Sequence, residues 1–158
     1  MPIATDNKGN QLLEVIQGNE DELIANETHR PLPLSLVIVK CAEGFMLLKN
    51  KYRNVWELPG GCIEPNETPK ECAVRECLEE SGYAISNPRF AGMIKFFLLP
   101  DFFRAESRIE YATLYCADVQ QTIAFQENEE ISALCWHNIG DQMEDANPMD
   151  VKLLEYFI

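Results

Sequence analysis

Along the 158 residues of the chain, the period of apolar and polar positions changes several times, and each change marks an element. Leu34 to Lys40 is a β-branched, apolar run of strand length, the pattern of a buried strand. Ala42, Glu43 and Gly44 turn the chain, and Phe45 to Lys51 reads as the hairpin partner. Tyr52 to Gly61 carries Pro59, Gly60 and Gly61, which predicts a loop. Residues 69–81 read as a helix. Phe90 to Leu99 and Ile109 to Val119 are strand candidates, joined by a polar connection from Asp101 to Arg108. Ile131 to His137 is a last short strand. Asn147 can cap a terminal helix with Pro148 at its first position, running to Phe157. The mixture of strands and helices predicts an α/β layered domain, and the length suits one domain rather than two.

Residues 1–30 are polar and acidic. Asp6, Asn7, Lys8, Gly9 and Asn10 have turn chemistry, and Leu12 to Ile16 suits a short strand or one helical turn. Residues 1–32 therefore read as an N-terminal extension with room for a hairpin, ahead of the main domain at 33–158.

Composition narrows the function classes. Thirteen basic residues stand against 26 acidic ones, a formal charge of −13, which argues against a broad basic face gripping DNA. Nucleotide substrates remain open, because a bound divalent ion reverses the local field. The N-terminus lacks the basic start and apolar run of a signal peptide, and no aliphatic stretch is long enough to span a bilayer. Six cysteines, at 41, 62, 72, 77, 116 and 135, have no zinc-knuckle spacing, and the only histidines are His29 and His137. Six reduced thiols and a cytoplasmic location are the expectation.

The chemistry concentrates between Gly61 and Tyr83. Thr68 and Glu71 can form a capping box, Pro69 suits the first helical position and Gly82 suits the C-cap. At about 100° per residue, Ala73, Val74, Cys77, Leu78 and Ser81 share an arc of roughly 140° that predicts the core-facing side. Glu76, Glu79 and Glu80 crowd the other side, flanked by Arg75. Like charges at i, i+4 destabilise a helix unless a cation neutralises them, and a hard divalent ion with oxygen ligands fits that need.

Gly61, Glu67, Arg75, Glu76, Glu79, Glu80 and Gly82 stand at the spacing G-x5-E-x7-R-E-U-x-E-E-x-G-U, where U is a bulky apolar residue. The segment resembles the Nudix box, with Cys77 in place of the usual Leu, Ile or Val and Tyr83 at the last apolar position. The preceding Trp56-Glu57-Leu58-Pro59-Gly60 is similar to the lead-in of many members.

The resemblance implies an α/β/α sandwich with a mixed β-sheet. It implies a Mg²⁺- or Mn²⁺-dependent pyrophosphohydrolase cleaving a nucleoside diphosphate linked to another moiety: ADP-ribose, a nucleotide sugar or a modified nucleoside triphosphate. The alternative is a catalytically silent, nucleotide-sensing domain of the same family. Carried over by position, Glu76, Glu79, Glu80 and the Gly61 carbonyl would hold metal, joined by Glu130 from the acidic run before Ile131. Arg75 would orient a glutamate, Glu76 or Glu79 would take the water proton, and Glu67 and Gly82 would shape the loop and helix. Phe102, Phe103 and Arg104 are candidates for meeting the substrate's base and phosphates. A small-molecule nucleotide is the implied partner, and a homodimer is common among relatives.

Overall fold

The computed structural model describes residues 1–158. Its elements are β1 (Ala4–Thr5), β2 (Gln11–Ile16), α1 (Glu20–Ala25), β3 (Leu34–Cys41), β4 (Gly44–Asn50), β5 (Trp56–Glu57), β6 (Gly60–Cys62), α2 (Pro69–Ser81), β7 (Arg89–Leu98), β8 (Arg108–Asp118), β9 (Ile131–His137) and α3 (Pro148–Leu153), with a closing 3₁₀ turn at Leu154–Tyr156. The strands form one mixed sheet in the order β1-β2-β7-β8-β3-β4-β5, with β6 also on β3 and β9 also on β4. Only the β3–β8 pair within this sheet is parallel, in register from Leu34↔Ala112 to Lys40↔Asp118; the other strand pairs are antiparallel.

The period-2 alternation of side chains sorts these strands onto two cores. Ile38, Leu47, Leu114 and Cys116 face one side and pack with Met149, Leu153 and Leu154 of the C-terminal segment. Val37, Val39, Met46, Leu48 and Tyr115 face the other and pack with Ala73 and Cys77 of α2. Because β3 is covered on both faces, its sequence reads as a continuous apolar run. The result is an α/β/α arrangement with α2 on one face of the mixed sheet and α3 on the other.

The structure departs from the sequence expectation in several places. The expected loop from Tyr52 to Gly61 contains β5 and runs into β6, because Gly60 and Gly61 let the backbone lie against Leu36 and Ser35 of β3; a strand built from glycine has no hydrophobic signature. The terminal helix ends at Leu153 and tightens into the 3₁₀ turn instead of running to Phe157. Helix α1, capped by Asn19, was not legible in the polar N-terminal stretch. Residues 1–32 carry β1, β2 and α1; β2 pairs with β7 along Gln11–Ile16, and Leu12 is fully buried in the core, a burial that contributes about 1.5–3 kcal/mol.

Candidate active site

Helix α2 is fixed against the sheet at both ends. The Thr68 hydroxyl accepts the Glu71 N–H at 3.1 Å and the Glu71 carboxylate accepts the Thr68 N–H at 2.9 Å, so the capping box forms. Gly82 takes the left-handed conformation at φ 81°, which glycine adopts without penalty. Underneath, Thr113 donates to the Ser35 hydroxyl at 2.9 Å, and Ser35 donates to the Pro69 carbonyl at 2.7 Å. These contacts set the rotation of α2 relative to β6.

That rotation differs from the helical-wheel reading. Leu78, expected in the core, is 50% exposed, whereas Glu80 is only 6% exposed. The buried stripe is Cys72, Ala73, Cys77, Glu80 and Ser81. The helix leans toward β6 as well as toward the sheet, so its carboxylate face borders the buried stripe instead of opposing it. Glu80 accepts the Gly60 N–H at 2.9 Å. Glu76 lies against Gly61, where an added Cβ would stand 2.6 Å from the Glu76 carboxyl carbon; only glycine leaves room for that approach.

Glu76, Glu80 and Glu130 gather so that their carboxylate oxygens lie within 4.8 Å of one another. Glu130 comes from the segment just before β9 and is placed by way of Asn128. The Asn128 side chain accepts the N–H groups of Glu130 and Ile131 at 3.0 and 2.9 Å, and donates to the Glu80 carbonyl at 3.0 Å. Asn128 is a site residue that sequence reasoning missed; its only signal was an Asn two residues before a glutamate. Glu79 is on the exposed rim, outside this group.

Arg75 organises the flank. Its guanidinium donates to both oxygens of Glu67 at 2.6 and 3.0 Å, to Glu76 at 3.0 Å, to Glu79 at 3.2 Å and to the Cys62 carbonyl at 3.1 Å. The bidentate Arg75 contact, helped by the Glu64 N–H, holds the Glu67 carboxyl at about 2. Glu76 and Glu80 behave oppositely: burial pushes both above the ordinary carboxylate range, and neighbouring carboxylates add to it. Glu80 and Glu130 have no basic side chain within ion-pair distance. A set of hard carboxylate oxygens, partly buried and short of positive charge, fits a divalent ion of the Mg²⁺ or Mn²⁺ type.

A cavity of about 300 Å³ opens beside this group, bordered by Gly60, Gly61 and Glu80 and walled by Leu34, Leu36 and Phe96. Phe102, Phe103 and Arg104 are not part of its lining. Phe102 and Phe103 are 95% and 88% exposed and meet edge-on, 5.3 Å apart. The turn that carries them is folded outward by Asp101, which accepts the Phe103 and Arg104 N–H groups at 2.9 and 2.8 Å. The structure does not bring these three residues into the cavity; its aromatic wall comes from Phe96, within the strand that leads into that turn.

The model of the NUDIX domain matches residues 26–157 of the chain. The chain therefore belongs to the Nudix family, hydrolases that act on phosphoric anhydrides. It is 29% identical over 122 residues to the Nudix hydrolase YvcI of Bacillus subtilis, covering 77% of this chain and 75% of that protein. An RNA pyrophosphohydrolase of Hydrogenovibrio crunogenus is 32% identical over 79 residues, covering 50% of this chain. An 8-oxo-dGTP diphosphatase of Proteus vulgaris is 44% identical over 39 residues, covering 25%. The aligned parts are only 47% and 35% of those last two proteins. Among solved structures, a MutT/nudix family protein from Enterococcus faecalis superposes with a TM-score of 0.63 at 17% identity, over 89% of this chain and 68% of that one. The Bacillus subtilis pyrophosphohydrolase BsRppH superposes with a TM-score of 0.59 at 18% identity, over 84% and 74%. No helix is long and apolar enough to cross a membrane.

Proposed function

We propose that the protein is a divalent-metal-dependent pyrophosphohydrolase that cleaves the phosphoric anhydride of a small nucleotide. The observation that carries this reading is the convergence of Glu76, Glu80 and Glu130 beside the Gly61 backbone, in a chain of this family and at the edge of a nucleotide-sized cavity. In this reading Glu76, Glu80, Glu130 and the Gly61 carbonyl hold Mg²⁺ or Mn²⁺. The ion supplies neutralisation of phosphate charge and a lowered pKa for bound water.

The rest is work for the protein's own groups. Water attacks one phosphorus, the bridging P–O bond breaks and two phosphate-bearing products leave. Glu79, exposed at the rim and held by Arg75 at 3.2 Å, accepts the water proton. Arg75 keeps Glu76 and Glu79 in register, and Glu67 and Gly82 preserve the loop and helix end that aim them. The net charge of −13 favours a mononucleotide class (a modified nucleoside triphosphate, a nucleotide sugar or ADP-ribose) over long RNA. Six free thiols favour the cytoplasm.

The test is product release from a nucleotide panel with Mg²⁺ and with Mn²⁺, beside Glu79→Gln. Turnover on one substrate, with Glu79→Gln reduced by at least about 100-fold at an unchanged melting temperature, is the expected result. Full activity in Glu79→Gln would remove its role. Nucleotide binding with no turnover by the wild-type protein would favour the sensing alternative.

A further inference from the structure

The segment between the end of β8 at Asp118 and the start of β9 at Ile131 has no regular structure, yet it delivers Glu130 to the carboxylate group. From Gln120 to Glu127 its backbone forms no hydrogen bond with another backbone group. From Gln120 to Glu129 only Phe125 and Asn128 are half-buried, and the other side chains face solvent. A stretch without a ladder of its own is placed by the side chains that touch it, so the position of Glu130 depends on a few contacts.

Two of these contacts come from the C-terminal end of α2. Tyr83, 4% exposed, packs its ring edge-on to Trp136 at 5.7 Å. Its hydroxyl accepts the Ile123 N–H at 2.7 Å and donates to the Ile123 carbonyl at 3.2 Å. The motif asks only for a bulky apolar residue at this position, so the ring satisfies the packing and the hydroxyl is free to clasp the segment. The second contact is Asn128, whose NH₂ donates to the Glu80 carbonyl at 3.0 Å. That carbonyl lies in the last turn of α2, where main-chain acceptors have no partner within the helix. From the sheet side, the Lys51 N–H donates to the Glu130 carbonyl at 2.8 Å and the Lys51 ammonium meets Glu127 at 2.7 Å.

Asn128 differs from the other contacts in what it joins. Its oxygen accepts the N–H groups of Glu130 and Ile131, and its nitrogen holds Glu80. One planar amide therefore links the main chains of two residues whose carboxylates converge. The orientation of the amide is fixed, because two donors require the oxygen and one carbonyl requires the nitrogen. Glu80 rides on a rigid helix and Glu130 on an irregular segment, so without this link their separation would vary. An ion of the Mg²⁺ type demands close to ideal octahedral geometry, which a varying separation does not provide.

We propose that Asn128 is a positioning residue of the metal group, fixing the spacing of Glu80 and Glu130, and that the Tyr83 hydroxyl supports it by docking the incoming segment on α2. Neither side chain touches the ion or the reacting atoms; both act through Glu130. The proposal deepens the metal-dependent hydrolase reading above and rests on it.

The experiment is Mn²⁺ affinity by electron paramagnetic resonance, which needs no turnover. It compares wild type with Asn128→Ala, Asn128→Ser and Tyr83→Phe, each alone and combined with Glu130→Gln, with a metal-free thermal melt as the folding control. Asn128→Ala is expected to weaken Mn²⁺ by about tenfold or more, the usual scale for a residue that orients a ligand. Asn128→Ser keeps a short acceptor for the turn but does not reach the Glu80 carbonyl, so it should weaken Mn²⁺ as well. Tyr83→Phe keeps the ring and loses only the clasp, and should weaken Mn²⁺ by a smaller factor. In the Glu130→Gln background all three effects should vanish, because residues that act through one another are not additive. Wild-type affinity in folded Asn128→Ala or Asn128→Ser overturns the proposal. So does a weakening that persists undiminished beside Glu130→Gln, which would mark a purely structural role, and so does an unchanged affinity in Glu130→Gln itself. The expected pattern in a protein that turns over no anhydride would instead overturn the hydrolase reading and leave the positioning role standing.

Discussion

Gly61→Ala perturbs the centre by a single methyl group. The added Cβ would stand 2.6 Å from the Glu76 carboxyl carbon and 2.7 and 3.0 Å from its oxygens. Carbon atoms pack at about 3.5–4.0 Å, so the Glu76 carboxylate must retreat by roughly 0.9 Å. Gly61 is not among the residues with positive φ, so alanine adds no backbone strain and the fold should hold. The retreat pulls Glu76 out of its group with Glu80 and Glu130 and lengthens its 3.0 Å bond from Arg75. A misplacement of about 1 Å at a reacting centre costs on the order of 100-fold in rate, or about 2.7 kcal/mol of barrier. The assay is kcat with Mg²⁺ on the best nucleotide of the panel, with Mn²⁺ affinity by electron paramagnetic resonance and a thermal melt beside it. Turnover within about twofold of wild type, at unchanged Mn²⁺ affinity and melting temperature, would refute the claim that the close approach of Glu76 to Gly61 matters.

Three further outcomes are expected. Glu80→Gln removes a buried carboxylate from a crowded group, so the metal-free variant should melt higher than metal-free wild type. It should also lose the rise in melting temperature that wild type shows with Mn²⁺, worth about 2.7 kcal/mol at 100 times Kd; a rise equal to that of wild type would contradict it. Glu67, held at about 2 against an ordinary 4.5, stabilises the fold fully above the ordinary value, and that contribution disappears as pH falls toward 2. The gap in melting temperature between wild type and Glu67→Gln should therefore be constant above pH 4.5 and close toward pH 2; a gap that widens in acid would be the wrong sign. Phe102→Ala and Phe103→Ala should leave kcat and KM within about twofold of wild type, because both rings lie outside the cavity lining; a large rise in KM would return them to the substrate site.

Much of the architecture was legible because it is written in local patterns. The buried strand at Leu34–Cys41, its hairpin partner and the α2 boundaries follow from β-branched runs, turn residues and caps, each acting within a few residues. The crowding of Glu76, Glu79 and Glu80 beside Arg75 follows from helical spacing alone. The departures share a different cause. Strand β6 has no hydrophobic signal because glycines must lie flat on β3. Leu78 is exposed and Glu80 buried because the tilt of α2 toward β6 is set by Ser35, Thr113 and the sheet beneath, which no helical wheel contains.

By itself, then, the sequence determined the secondary elements that carry strong periodicity, the family motif and the identity of most of the acidic groups. Tertiary structure alone decided which of those groups meet. Glu130 joins Glu76 and Glu80 across 50 or more positions of chain, through an Asn128 turn. Asp150 is brought to Leu58 across the fold, and Asn10 to Leu99. Periodicity and capping are short-range properties of a chain, whereas a site is made by contacts between segments remote in sequence. Their energies depend on burial and relative orientation, which exist only once the sheet and its two helical layers have closed.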